Sequence, residues 1–273
     1  MLLTAPFDPG AVGIGRPPSR AERVAAAGAV ALIAVGLAME AMGGSLRGVG
    51  RGVASGAVHG AFLVGGASIA GGTASSYWRV VLSAAVLLAA SVLSRLGDWG
   101  ALLYLLPPIL LVWATSADGA FRGIGVHLRA RARHVVYGLA AGAFLGTHLL
   151  VSASLTLGYV VGLGSPSQYL SALAYDVGAN GLTAEWLFRG ALFTRFWRRW
   201  EFWPAACAST ALAIARYVLD LAVPAALEVK AGTLFYTALL GFTACALRAE
   251  SGSLLPGYLA TGLFFAAYRM LSQ

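Results

Sequence analysis

Charge is what this chain is shortest of. Only 11% of its 273 residues are Asp, Glu, Lys or Arg, and lysine occurs once, at Lys230. Soluble globular domains carry about 25% charge, so a soluble fold of this length could not cover its surface with so little. Cysteine is scarce too. Cys207 and Cys245 lie inside apolar stretches, with no CxxC pair and no Cys/His cluster, which argues against a zinc site or a disulfide framework. No histidine follows His148, so the C-terminal part lacks the pieces of a His general base, a Ser/His pair or a zinc centre. No metal and no cofactor are expected. The net charge of +8 is not accompanied by a patch of interleaved aromatic and basic residues, so nucleic acid is excluded as a partner. The first twenty residues hold Pro6, Pro9, Pro17 and Pro18 and no apolar core. This pattern points to an uncleaved N-terminal anchor rather than a signal peptide.

What is present is apolar. Hydrophobic residues make up 59% of the chain, and mean hydropathy is +0.77. Crossing a ~30 Å hydrocarbon core takes about 20 residues of helix. Nine runs qualify as candidates, at 22–43, 53–72, 78–95, 99–115, 134–162, 182–197, 203–223, 231–248 and 253–270. The second is rich in glycine and the sixth is short. The expected fold is all-α: a polytopic transmembrane bundle of about 8–10 helices, packed as one body.

Arginines orient it. Arg16, Arg20 and Arg23 precede the first run; Arg122, Arg129, Arg131 and Arg133 follow the fourth; Arg195, Arg198 and Arg199 follow the sixth; Arg248 follows the eighth. All fall on one side if the N-terminus is cytoplasmic, whereas 163–181 on the other side has no Lys or Arg. Arg47 and Arg51 break the pattern. The expected layout is a cytoplasmic tail over 1–21, N-terminal transmembrane helices over 22–162, an outer interfacial segment over 163–181, and a transmembrane core over 182–273. Tyr169 and Tyr175 suit a short amphipathic helix in the interfacial segment, with a plain loop as the alternative.

Glycine recurs every four residues at Gly48, Gly52, Gly56 and Gly60, and again at Gly138, Gly142 and Gly146. Such rows bare the backbone along one helix face and let a second helix approach closely. Packing within the chain is favoured over a dimer interface.

Four charges sit where a membrane helix should have none: Glu185 and Arg189 in the sixth run, Arg216 and Asp220 in the seventh. An ionisable residue at the centre of a spanning helix costs at least ~2.5–3.5 kcal/mol. Each pair has i,i+4 spacing, which puts both side chains on one helix face where they can neutralise each other. His59 and His148 also lie in apolar runs, and a hydrogen bond to a neighbouring helix is the expected role for each. Peptide hydrolysis would need a group to activate water and a donor for the oxyanion. An ion pair alone supplies neither.

The residues from about 181 to 270 resemble the CAAX prenyl protease type 2 and bacteriocin-processing family, also called the Abi or CPBP family of glutamic intramembrane proteases. Its EExxxRG motif reads here as "AEWLFRG", Ala184 to Gly190, followed by the basic turn "RFWRRW". Its FxxxH motif falls on "ALAIARYV", with Arg216 at the His position. Its last helix follows a Gly-Ser-Leu turn and a proline, as in "SGSLLPGYLATGLFF". Thr261 stands where the family has His, and Phe265 where it has Asn. The resemblance covers about a third of the chain and rests on helix order, spacing and flanking residues.

In that family the first Glu and the second-motif His are taken to activate water, and the third-motif His and Asn to bind the oxyanion. Carried over, those roles fall on Ala184, Arg216, Thr261 and Phe265. Alanine accepts no proton and arginine stays protonated. Threonine offers one hydrogen bond and phenylalanine none. Glu185 and Arg189 remain, as an architectural pair. The resemblance implies a pseudoprotease in the inner (plasma) membrane of a bacterial cell. Its partners would be the lipid bilayer and either an active paralogous protease or a membrane-anchored substrate protein. Two alternatives stay open: an active endopeptidase using Glu185 with a relocated partner such as His148, and a small transporter subunit with the four charges lining a polar path.

Overall fold

The computed structural model describes residues 19–115, 118–218 and 227–272. It is 84% helical. In chain order the α-helices are α1 (Arg20–Met42), α2 (Leu46–Ala70), α3 (Ala74–Leu93), α4 (Leu106–Thr115), α5 (Gly119–Gly123), α6 (Ala132–Leu157), α7 (Pro166–Tyr175), α8 (Leu182–Ala184), α9 (Phe193–Trp197), α10 (Phe202–Val218), α11 (Leu227–Ser251) and α12 (Leu255–Tyr268). A 3-10 helix, Asp98–Leu105, leads into α4. Two π-helical segments, Asp176–Gly181 and Glu185–Leu192, flank α8. Strand β1 (Val160–Val161) pairs antiparallel with β2 (Leu271–Ser272).

Among the described residues, five helices are long and apolar enough to cross a membrane: α1, α2, α3, α6 and the Ala231–Ser251 part of α11. The chain is a helical membrane protein. Several of the other apolar runs form shorter helices. The fourth is split between a 3-10 turn and α4, the sixth changes helical type, and α12 has 14 residues.

The helix ends follow from local chemistry. Ser19 and Glu22 form a reciprocal capping box at the start of α1, and Gly43 ends it at φ +73°. Gly71 in the left-handed region ends α2. Thr73 then caps α3 by accepting the Ser76 N–H. Pro166 opens α7 and Pro256 lies in the first turn of α12, where a missing N–H costs nothing.

The helices sort into two compact units, 19–122 with 163–187, and 123–162 with 188–272. In the first, α1 packs on α2 through Gly36 and Gly50. A methyl on Gly50 would lie 2.5 Å from the Glu40 backbone nitrogen. Further along α2, a methyl on Gly52 would lie 2.6 Å from Ser91 O and one on Gly56 2.8 Å from Leu88 Cα, so this part of the row packs on α3; Gly48 faces open space. Arg51 meets Glu40 at 2.7 Å. One arginine that breaks the charge asymmetry is thus neutralised by an acid on the neighbouring helix.

Residues 163–165 are irregular, and 166–181 is α7 followed directly by π-helix. Ser167 donates to Asp98 at 2.7 Å. Asp176, Gly178 and Asn180 are buried, and Gly178 meets the Tyr104 carbonyl so closely that a side chain there would overlap backbone. Asp118 accepts from the Thr73 N–H, the Thr73 hydroxyl and the Ala120 N–H, each at 2.9 Å. Burial pulls its carboxyl upward, but these bonds and one from Ser76 hold it below the usual carboxylate value.

In the second unit, α6 and α12 run parallel. Gly138 meets Pro256, Gly142 meets Ala260, and Gly146 meets Ala267. Leu145, Tyr236, Leu240, Ala260 and Phe264 form one core cluster there; Phe193, Phe202, Ala205, Ala206, Cys245 and Ala249 form another. The connection before α6 is stitched to the α11–α12 turn. Ser253 donates to His127 O at 2.8 Å, and Leu254 N to Gly125 O at 2.9 Å. Arg248, read above as a loop charge, is 1% exposed and donates to Gly123 O at 2.8 Å. Burial, reinforced by the Arg248 charge, lowers the His127 pKa.

Candidate functional site

The motif helix changes type as it passes its charged residues. Ala184 ends the short α8, and Glu185 opens the π-helical turn that also carries Arg189. All three are 3% exposed. π-Helix is uncommon and concentrates at functional positions. Inside a membrane, carbonyls disturbed by such a change need other donors, and hydroxyl side chains commonly serve. Thr183 donates to Ala179 O at 2.7 Å, and Ser209 donates to Phe188 O at 2.6 Å.

In the first unit, α2 grips the motif from one side. His59 Nδ1 lies 2.9 Å from Thr183 Oγ1, and Nε2 lies 2.9 Å from Tyr175 OH. The Thr183 proton is used on Ala179 O, so His59 donates from Nδ1, and Nε2 pairs with the Tyr175 hydroxyl. Trp186 donates its indole N–H to Leu63 O at 2.8 Å. Its ring lies against Gly66 with Phe121 on it at 5.4 Å between centroids. The residue next to Glu185 is thereby fixed by a helix more than a hundred positions earlier. Sequence reasoning found His59 only as a residue seeking a partner and missed Trp186 altogether. An aromatic residue in an apolar chain gives no contrast to notice.

In the second unit, Arg189 reaches the α10–α11 crossing. A methyl on Gly241 would lie 2.7 Å from Arg189 Nη2 and 2.8 Å from Thr210 Oγ1. Gly241 leaves the room that the guanidinium occupies. Arg216 is half-buried on α10, with its guanidinium 4.5 Å from the centroid of the Tyr217 ring, and Tyr217 faces Phe265 of α12 at 6.5 Å. Arg216 and Phe265 are therefore joined through an aromatic ring. Phe265 also packs on the Tyr236–Phe264 cluster. Thr261 is 2% exposed on α12, one residue after Ala260, which packs on Gly142 of α6. Asp220, the expected partner of Arg216, lies outside the described residues. His148 is exposed on α6 and hydrogen-bonds Tyr236 OH at 2.7 Å through Nδ1. Among the described residues, no group of three or more His, Cys, Asp or Glu could hold a metal ion.

The fold and this motif helix define a class: helical membrane proteins in which a buried acid and a buried arginine share one turn of a buried helix. Comparison with known families adds one match over part of the chain. Residues 166–267 match the Rce1-like family, described as type II CAAX prenyl endopeptidase Rce1-like. Over that stretch, less than half of the chain, the protein is similar to this family of CAAX-protease-like membrane proteins. No curated protein and no solved structure matches the chain.

Proposed function

We propose that this protein is a catalytically inactive member of the CAAX-type membrane endopeptidases, residing in the plasma membrane with its N-terminus in the cytoplasm. It acts there as a partner or scaffold for an active protease or a membrane-anchored substrate. The observation that carries this reading is the packing at Arg216. The position matching the family's water-activating His holds a permanently charged guanidinium lying over Tyr217, and that ring packs toward Phe265, at the position of the family's oxyanion Asn. A guanidinium cannot accept a proton from water, and a phenyl ring cannot donate to an oxyanion. Ala184, at the position of the first Glu, has no acidic group. Glu185 and Arg189 serve the architecture of the motif helix, with Arg189 filling the notch at Gly241.

The test is hydrolysis of a prenylated CAAX reporter peptide by the purified protein in detergent and in liposomes. No turnover above background is expected from the wild type. Glu185→Gln should lower stability by about 1–3 kcal/mol, through a weakened buried polar contact, and change no activity. Measurable cleavage that disappears in Glu185→Gln, with the variant still folded, would overturn the proposal and place the working carboxylate at Glu185.

A further inference from the structure

The second unit carries a band of positive charge at one end. Its helix contacts place the start of α6, the turn after α9, the start of α10 and the α11–α12 turn together. Gly138 and Gly142 meet Pro256 and Ala260 near the start of α12, and Phe202, Ala205 and Ala206 meet Cys245 and Ala249 near the end of α11. Arg129, Arg131, Arg133, Arg195, Arg198 and Arg199 lie at this end; Glu201 and Glu250 are the acids. At the opposite end, the described residues supply Arg216 and Arg269, each over a tyrosine ring.

Two features show what the band is suited to hold. The first is electrostatic. Arg131 is the N-cap of α6, Arg133 lies in its first turn, and no side chain caps that end. Cations at the positive end of a helix are placed against the dipole, and an anion beside them relieves that cost. The second is the abrupt change of polarity. One turn beyond Arg133, Val136 is 58% exposed and Tyr137 54%; just after Arg199, Trp200 is 49% and Trp203 62% exposed. Trp200 also stacks on Phe196 at 5.0 Å. A ligand that satisfies both features presents an anionic head directly above an apolar tail. Free phosphate has no such tail, and an acidic peptide or nucleic acid would leave the exposed indoles and valine against water.

We propose that this arginine–tryptophan rim binds the headgroup and upper acyl region of an anionic phospholipid, with Arg198 and Arg199 on one side and Arg129 and Arg131 on the other. The bound lipid neutralises the start of α6 and fixes this end of the unit at the membrane interface.

The experiment uses the full chain in dodecyl maltoside, titrated with phosphatidylglycerol or phosphatidylcholine, with retained lipid counted by native mass spectrometry. Phosphatidylglycerol should be retained in preference. Arg198→Gln with Arg199→Gln should weaken its binding by about fivefold per arginine removed. Arg129→Gln with Arg131→Gln should do the same from the exposed α6 side, so a folding defect in the first pair does not block the test. Arg216→Gln with Arg269→Gln should leave binding unchanged. Equal retention of the two lipids, an equal loss in the control pair, or full displacement by millimolar inorganic phosphate would each overturn the proposal.

Discussion

Replacing Gly66 by alanine is the sharpest probe of how the motif helix is held. The added methyl would meet the indole of Trp186 edge-on, 2.6 Å from Cδ1 and closer still to Nε1. That ring is 1% exposed, and Phe121 packs on it at a centroid distance of 5.4 Å. Phe121 in turn fills the space at Gly72, where a methyl would lie 2.5 Å from its Cε2. The indole therefore has no free volume to retreat into. Forcing a methyl into a filled core costs about 1–3 kcal/mol, and pulling Nε1 away from Leu63 O gives up a membrane hydrogen bond of about 0.6–1.7 kcal/mol. Gly66→Ala should thus destabilise the protein by about 2–4 kcal/mol. Trp186→Phe, which removes the N–H and one ring, should cost about 1–3 kcal/mol, less than the ~3–5 kcal/mol of removing a whole indole. The two changes compensate, because the smaller ring leaves room for the methyl. A double-mutant cycle should show coupling of at least about 1 kcal/mol in the favourable direction. The assay is reversible unfolding in mixed dodecyl maltoside/SDS micelles, followed by far-UV circular dichroism. Gly66→Ala within about 0.5 kcal/mol of wild type, or strictly additive costs, would refute the argument that α2 clamps the motif through Trp186.

Three further outcomes are expected. Gly142→Ala sets a methyl 2.5 Å from Ala260 O and 2.8 Å from Ala260 Cα, short of the 3.4 Å of ordinary contact. It should cost about 1–3 kcal/mol in the same unfolding assay, whereas Gly28→Ala, with nothing within 4 Å, should be neutral or stabilising by up to about 1 kcal/mol. Asp118 has its pKa lowered on folding, so its contribution is complete above the unfolded value near ~3.9 and is lost as pH falls below that value through the folded one. A pH series should show wild type losing stability below about pH 4 more steeply than Asp118→Asn. The purified protein should leave a prenylated CAAX reporter intact, with Glu185→Gln altering stability alone, as set out above.

Much of the membrane character was legible, since low charge and long apolar runs leave a chain few other solutions. Glu185 and Arg189 stood out for the same reason: ionisable groups are costly in hydrocarbon and so conspicuous against it. The glycine rows were equally visible, because a four-residue spacing marks one helix face whatever covers it. Other features had no such contrast. Trp186 is one apolar ring among many, and Arg248 looked like an ordinary loop arginine until its burial against Gly123 O appeared. Asp176 and Asn180 gave no signal either, in a stretch expected at the outer interface; the Asn180 amide donates to Asp176 at 3.2 Å and both are buried. A polar pair that satisfies itself can enter a core that neither residue could enter alone.

The sequence by itself determined that the chain lives in a membrane and that its C-terminal third resembles a family of glutamic proteases, a resemblance that implies Ala184, Arg216, Thr261 and Phe265 at that family's working positions. Composition and local spacing carry those facts, because transfer into lipid and the chemistry of a side chain depend on residue type. Tertiary structure alone decided which surfaces meet. It set the glycine row of α6 on Pro256, Ala260 and Ala267 of α12, gave Arg189 the notch at Gly241, and put His59 and Leu63 of α2 against Thr183 and Trp186. Those pairings depend on close packing between segments distant in the chain, and close packing belongs to the assembled helices rather than to any one of them.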